Sequence, residues 1–95
     1  MGEIYLLIGQ AHHLGGNIGP ARAYYEKAES TFRKAIEELG DDSFFLRSNS
    51  ERLREVVEAH YLLVRTAGYE SAAEEMRKRL MEVERDFGEY LTAPR

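Results

Sequence analysis

Apolar residues recur at spacings of three and four along most of the chain, which is the period of an amphipathic helix. The first such segment runs from about Glu3 to Leu14, and its apolar stripe consists of Ile4, Leu7, Ile8, Ala11 and Leu14. The second starts near Pro20 and continues to Gly40, and its apolar face consists of Ala21, Tyr25, Ala28, Phe32, Ala35, Ile36 and Leu39. The residues between them, Gly15-Gly16-Asn17, accept the left-handed conformation that ends a helix. The first half of the chain is therefore predicted to be a helical hairpin.

The second half predicts two more helices. The third spans about Asn49 to Thr66, with inner positions Leu53, Val56, Val57, His60, Val64 and Ala67. After a break at Ala67-Gly68, the fourth runs from about Tyr69 to Leu91. Its apolar positions approach a heptad seam and are Ala72, Met76, Leu80, Val83, Phe87 and Tyr90. Because no alternating strand pattern occurs, the predicted fold is all-α, with four antiparallel helices.

The segment 40–50 is predicted to connect the two hairpins. Gly40 ends the second helix, and the turn formers Asp41, Asp42 and Ser43 follow it. Residues 44–46, Phe-Phe-Leu, are expected to fold back over the core as an apolar plug. Ser48-x-x-Glu51 matches a capping box for the third helix. The predicted organisation is one domain over 1–95, with hairpins at about 3–39 and 51–91.

A more specific pattern lies in the first hairpin. Tyr5-x2-Ile8-Gly9-x2-His12 is followed, after the turn, by Ala21-x3-Tyr25. This resembles the tetratricopeptide (TPR) repeat, whose pattern is W-x2-L-G-x2-Y and then A-x3-F. The resemblance implies two long TPR-like hairpins in which a small residue at Gly9 lets the partner helix approach closely. It is looser in the second hairpin, and a plain four-helix bundle is the alternative architecture.

In TPR proteins, ligands usually lie against the inner face of the first helix of each hairpin. By register, the resemblance implies that the partner-binding residues are Glu3, Leu6, Gln10, His13 and Leu14. Members that bind acidic chaperone tails carry Lys and Asn where this chain has Leu6 and Gln10, so such tails are not the expected ligand. The implied function is a non-enzymatic interaction module, a scaffold or adaptor, that binds a protein, a peptide or a partner helix.

A stack of two hairpins leaves apolar edges uncovered, because repeat arrays need about three units or capping elements. We therefore expect self-association, as a homodimer with a groove around Gln10, His13 and the third helix. The heptad-like stripe of the fourth helix is a candidate dimer seam, which Phe87→Glu would disrupt. The other possibility is that the long helices and the plug at 44–46 complete the core within one chain.

Composition narrows the functional classes. The chain has 95 residues, of which 43% are hydrophobic and 32% charged, as expected for one globular domain. A formal net charge of −4 argues against non-specific nucleic-acid binding, which needs a basic surface. Cysteine is absent, which excludes disulfides and thiolate metal sites. The apolar run at 4–8 is too short to span a membrane, so a soluble, cytoplasmic protein is expected.

Chemical motifs are sparse. Arg54-x5-His60 resembles the Arg-x4–6-His motif of HEPN ribonucleases, in which two such pairs across a dimer act on the RNA backbone, although Glu55 departs from that pattern. An HEPN-like ribonuclease is therefore the alternative function, and a structural or engineered bundle is a third. His12 and His13 point about 100° apart on a helix, so they are not expected to chelate one ion. Charges on the fourth helix, with pairs such as Glu75–Arg79, predict a solvated face. No metal, cofactor or catalytic residue is expected.

Overall fold

The computed structural model describes residues 1–38 and 43–91. Within these ranges the chain forms four α-helices and no strand: α1 (Gly2–Leu14), α2 (Ile18–Glu38), α3 (Ser43–Thr66) and α4 (Glu70–Phe87), with a 3-10 turn at Gly88–Tyr90. The predicted all-α class with four helices is confirmed. None of the described helices is both long and apolar enough to cross a membrane.

The two turns within the hairpins have the same backbone structure. Gly16 and Gly68 adopt φ angles of 78° and 83°, in the left-handed region that favours glycine. The N–H of the residue after each glycine donates to the carbonyl five residues earlier, at 2.8 Å in the first turn and 2.9 Å in the second. This is the Schellman arrangement, which supplies partners for the last carbonyls of a helix. It stops α1 and α3 at the positions that the glycines predict.

The helices lie in a row. Helix α1 packs on α2, α2 packs on α3 and α3 packs on α4, with only a light contact between α1 and α3. In the described ranges no Cα of α1 lies within 8 Å of one in α4. A closed bundle would bring its first and last helices together. Helices α1 and α4 are therefore the two edges, and the core between them contains Ala21, Tyr25, Ala28, Phe32, Leu53, Val56, Val57, Leu63, Val64, Met76 and Val83.

Two glycines set the contact between α1 and α2. A Cβ added at Gly9 would lie 2.7 Å from Cδ1 of Tyr25, and one added at Gly2 would lie 2.8 Å from Cε1 of Phe32. Both distances are shorter than side-chain carbons tolerate, so the aromatic rings of α2 rest directly on the backbone of α1. The prediction that Gly9 permits a close helix approach is confirmed.

The apolar stripe of α1 does not face this contact. Ile4, Leu7 and Leu14 are 53%, 65% and 91% exposed, and Ala11 is exposed as well. The buried residues of α1 are Gly2, Leu6 and Gly9, on the opposite side of the helix. Because the glycine side gives the closer packing, it faces α2 and turns the large side chains outward. Helix α1 is therefore apolar on both sides, although only one side is covered.

Helix α3 begins earlier than the sequence predicts. It starts at Ser43 rather than about Asn49, so residues 43–50 are helical instead of forming a connection. Buried Leu46 and Ser50 extend the stripe of Leu53 by two turns, and no Gly or Pro interrupts the helix. The predicted capping box at Ser48 consequently lies inside α3. The predicted turn at 40–42 lies outside the described residues.

The apolar plug predicted at 44–46 is wrong in part. Leu46 is 8% exposed and belongs to the core. Phe44 and Phe45, however, are 75% and 47% exposed. Both lie in the first turn of α3 and therefore follow the direction of that helix, which points only Leu46 inward.

The seam of α4 is occupied within the chain. Met76 and Val83 are buried, and Ala72, Leu80, Phe87 and Tyr90 are partly buried against the core. The prediction of this stripe as a dimer seam is therefore corrected, because its side chains already pack inside the protein. Helix α4 ends at Phe87 rather than near the predicted Leu91, and the 3-10 turn begins at Gly88.

Replacing Gly9 with Ala tests the α1–α2 contact. We expect a loss of about 1–3 kcal/mol in the free energy of unfolding, because the added methyl meets the buried Tyr25 ring. The loss of stability is expected even though replacing Gly with Ala stabilises an isolated helix by about 1 kcal/mol. Urea unfolding followed by circular dichroism measures it. The control is Gly19→Ala, where no atom lies within 4 Å of the new Cβ and stability should not fall. Equal stability of the Gly9→Ala variant and the wild type would contradict the close approach.

Candidate functional site

A groove lies between the C-terminal halves of α1 and α3. Its volume is about 330 Å³, and it is lined by Gln10, His13, Leu14, Tyr25, Ala59 and Leu62. Leu14 and Leu62 form exposed parts of the rim, whereas Tyr25 is fully buried. The Tyr25 hydroxyl lies 3.0 Å from Nδ1 of His13, at hydrogen-bonding distance. Burial raises the pKa of Tyr25, so its hydroxyl stays protonated at neutral pH.

The structure brings together part of the predicted partner-binding set. Gln10, His13 and Leu14 line this groove. Leu6 is 4% exposed and belongs to the core, so its predicted role as a partner contact is corrected. Glu3 lies at the N-terminal end of α1, away from the groove, and its Oε1 is 3.3 Å from Nε of Arg52 on α3. The groove is thus built on the second half of α1.

The lining sets the chemistry of the groove. Its walls are aliphatic side chains and the Tyr25 ring. Its polar groups are the Gln10 amide, the His13 imidazole and the Tyr25 hydroxyl, and none of its residues is an acid, a lysine or an arginine. Binding pockets typically combine an apolar surface with a few placed polar groups. This groove therefore suits an apolar side chain of a peptide or helix whose backbone can bond to Gln10.

Sequence reasoning predicted that the third helix borders the groove, but it named none of the α3 residues that line it. Ala59 and Leu62 face the groove, and Leu62 is 46% exposed. A signal for this was present, because residues 61–64 read Tyr-Leu-Leu-Val. Successive residues of a helix differ by about 100° in direction, so four apolar positions cannot all face one core. At least one had to point towards another surface.

A second group of polar side chains connects α2 with α4. Nη1 of Arg79, on α4, lies 2.8 Å from Oε1 of Glu26 and 3.1 Å from Oε1 of Glu29, both on α2. Glu29 is buried and also accepts a hydrogen bond from Arg33 at 2.9 Å. Arg79 pairs with Glu75 on its own helix too. Burial lowers the pKa of Arg79, but hydrogen bonds and charges of the three glutamates outweigh this effect and raise it.

His60 on α3 lies next to this ion-pair network and is 1% exposed. Its Nε2 accepts a hydrogen bond from Nε of Arg22 at 3.1 Å, so the ring is neutral with its proton on Nδ1. Nδ1 lies 3.4 Å from Oε1 of Glu26 but is not aligned for a hydrogen bond. Desolvation lowers the pKa of His60 to about 4; Glu26 and Glu75 oppose this shift, while Arg22 and Arg79 add to it.

This geometry gives no support to the ribonuclease alternative. The acceptor nitrogen of His60 is already bonded to Arg22, and the ring is buried. Arg54 lies in a polar cleft formed by residues of α3 itself: Ser48, Glu51, Arg52, Glu55 and Glu58. Six residues correspond to about 600° of helix rotation, which leaves Arg54 and His60 on different faces. The pair therefore has no common surface on which to contact one phosphodiester.

The two adjacent histidines have separate partners. The ring of His12 stacks on Tyr24 with centroids 5.8 Å apart, and its Nδ1 accepts a hydrogen bond from Nδ2 of Asn17 at 3.3 Å. His13 instead faces Tyr25. Among the described residues no group of three His, Asp or Glu side chains is placed to hold a metal ion. The histidines therefore organise the contact between α1 and α2.

Removing Arg79 tests whether the polar network joins the hairpins. We expect Arg79→Met to lower the free energy of unfolding by about 2 kcal/mol, because buried Glu29 loses a charged partner while Arg33 remains. Chemical denaturation measures the difference. Arg77→Met is the matched control, since exposed Arg77 bonds to Glu74 and Met81 on its own helix and its loss should leave stability unchanged. Equal effects of the two variants would contradict the role of Arg79.

The buried neutral His60 predicts a pH dependence of stability. Its pKa is about 4 in the folded protein and 6.5 in the unfolded chain, so the unfolded chain binds the proton more tightly. Stability is therefore full above pH 6.5 and falls towards pH 4, by roughly 2–3 kcal/mol in total. Thermal unfolding of the wild type and of His60→Gln across this range isolates the effect, because the variant keeps every carboxylate. Parallel pH profiles of the two proteins would disprove it.

Comparisons with known proteins do not indicate a function for this chain. No family model, curated protein or solved structure matches this chain. The resemblance to TPR hairpins therefore rests on the residues quoted for it. What the protein does has to be inferred from the groove, the polar network and the exposed face of α1.

Proposed function

We propose that the protein is a non-enzymatic interaction module, a scaffold or adaptor that binds an amphipathic helix or peptide and associates with itself in the cytoplasm. The groove between α1 and α3 carries this proposal. It combines exposed Leu14 and Leu62 with the Gln10 amide, and none of its lining residues is an acid, a lysine or an arginine. Such a groove fits the apolar face of a partner helix, on which anchoring side chains recur three or four residues apart.

Several features support a TPR-like arrangement. Helices α1 and α3 are the first helices of their hairpins, and the groove lies between them. Both hairpins turn on a glycine with positive φ, at Gly16 and Gly68. Gly9 takes the small position of the pattern, where the Tyr25 ring packs on it. Each helix also packs on its neighbour in sequence, as repeat hairpins do.

The size and charge of the groove define the ligand further. A volume of about 330 Å³ accommodates one large apolar side chain, such as Leu, Met or Phe, rather than a whole cofactor. The chain carries a net charge of −4, so residues that flank the anchor are favoured when they are basic. The expected ligand is therefore a short helix with one apolar anchor and basic neighbours.

A displayed library of random 15-residue peptides, selected on the immobilised protein, tests this function. Selected peptides should carry apolar residues at helical spacing and should lose at least about tenfold in affinity for Leu62→Glu, which places a carboxylate at the groove. Met81→Glu is the matched control, because Met81 is an exposed apolar residue on α4 that lines no part of this groove. Failure to enrich any peptide, or equal binding to both variants, would refute the proposal.

A further inference from the structure

The outer face of α1 is an apolar surface that the described helices leave open. Ile4, Leu7 and Leu14 are 53%, 65% and 91% exposed, and Ala11 lies exposed between them. Together these side chains expose the surface area of about two leucine residues, an apolar patch on the order of 400 Å². A patch of this size is comparable with the largest apolar patch of a typical monomer, which is often functional. The face points away from α2, so nothing in the described chain covers it.

We propose that a second copy of the chain covers this face, with the two α1 helices packed antiparallel about a two-fold axis. This inference rests on the self-association in the proposed function and names the surface that performs it. It also replaces the stripe of α4, whose Met76 and Val83 are buried inside the chain.

The order of residues on the face is self-complementary. Ile4 and Leu14 lie equally far from Gly9 along the helix, and so do Leu7 and Ala11. In an antiparallel pair centred there, Ile4 meets Leu14 of the partner subunit and Leu7 meets Ala11 of the partner subunit. A large side chain thus faces a small one at the centre. A two-fold interface needs this property, because the same surface must fit itself.

Charge also favours a second copy over a charged partner. Glu3 is the only acidic or basic residue of α1 besides its histidines, and it already pairs with Arg52 of α3 at 3.3 Å. Two α1 helices therefore meet without like charges across the interface. By contrast, exposed Met81 on α4 is surrounded by Lys78, Glu82 and Arg85. An apolar face with so little charge offers a charged ligand nothing to pair with.

The buried area predicts a weak dimer. Standard interfaces bury about 800 Å² on each partner, and a patch on the order of 400 Å² lies below that class, among weak and transient contacts. A helix of 13 residues is about 20 Å long, which suffices for a seam of four side chains. The dimer should therefore form and dissociate over the micromolar range of concentration.

Sedimentation velocity across micromolar concentrations tests the surface. The wild type should shift from monomer to dimer, and Leu7→Glu should raise the dissociation constant by at least about tenfold, since it places two carboxylates in the seam. Met81→Glu, the same change at an exposed apolar residue of α4, should dimerise like the wild type. A wild type that stays monomeric, or a dimer that Leu7→Glu does not weaken, would overturn the inference.

Engineered cysteines test the antiparallel register independently, because the natural chain has none. Under mild oxidation, the double variant Ile4→Cys, Leu14→Cys should form disulfide-linked dimers. Leu14→Cys alone should not, because ten residues of helix separate the two copies of this position by about 15 Å, beyond the reach of a disulfide. Linkage of the single variant at the same rate as the double variant would disprove the antiparallel pairing.

These tests separate the two proposals. Leu7 is not among the groove residues, so Leu7→Glu should still bind the selected peptides. Because Leu14 lies on both surfaces, failure of the monomeric Leu7→Glu variant to enrich peptides, with a dimeric wild type, would remove the groove proposal and leave the α1 interface standing. A strict monomer that binds the selected peptides would do the reverse.

Discussion

The contact between the backbone of α1 and two aromatic rings of α2 determines much of this structure. Because Gly2 and Gly9 face Phe32 and Tyr25, α1 lies closer to α2 than any larger residue would allow. The same rotation turns the large apolar residues of α1 to the outside and brings Gln10 and Leu14 beside α3. The groove and the exposed face thus share one cause. The short side chains that permit tight packing within the chain also leave its apolar surface available to other molecules.

Helix α4 is joined to α2 by a different kind of interaction, an ion-pair network. Helices α2 and α4 are too far apart for direct packing, and the side chain of Arg79 spans the distance to Glu26 and Glu29. A buried ion pair contributes less to net stability than its geometry suggests, since both charges lose water. Its effect here is to fix the relative position of α2 and α4, with neutral His60 filling the space beneath it. The apolar contact thus orients α1, whereas α4 packs its apolar stripe on the core and is also joined to α2 by the polar network.

Much of this fold follows from sequence, since the helical period identified all four helices and glycines identified both turns within the hairpins. The start of α3 could not be predicted, because turn formers at 41–43 and a capping pattern at Ser48 compete with the apolar spacing of Leu46 and Leu53. Periodicity also could not orient α1, because that helix is apolar on one side and glycine-rich on the other.

The candidate site was predictable only in part. The repeat pattern placed Gln10, His13 and Leu14 on one face of α1, but the α3 wall depends on how two helices meet in space. The polar network is harder still. The pair Glu75–Arg79 is visible as helical spacing, whereas the reach of Arg79 to Glu29 joins residues far apart in sequence. Tertiary packing decides which of many surface charges become partners.

The solvent exposure of methyl groups on α1 is the most direct measure of how this helix is oriented. A soluble paramagnetic probe added to dilute, methyl-labelled protein broadens the signals of side chains that solvent reaches. We expect strong broadening for Leu7 and Leu14 and little for Leu6, in line with exposures of 65%, 91% and 4%. Broadening of Leu6 with protection of Leu7 would show that α1 is rotated, and the groove and the proposed interface would both have to be abandoned.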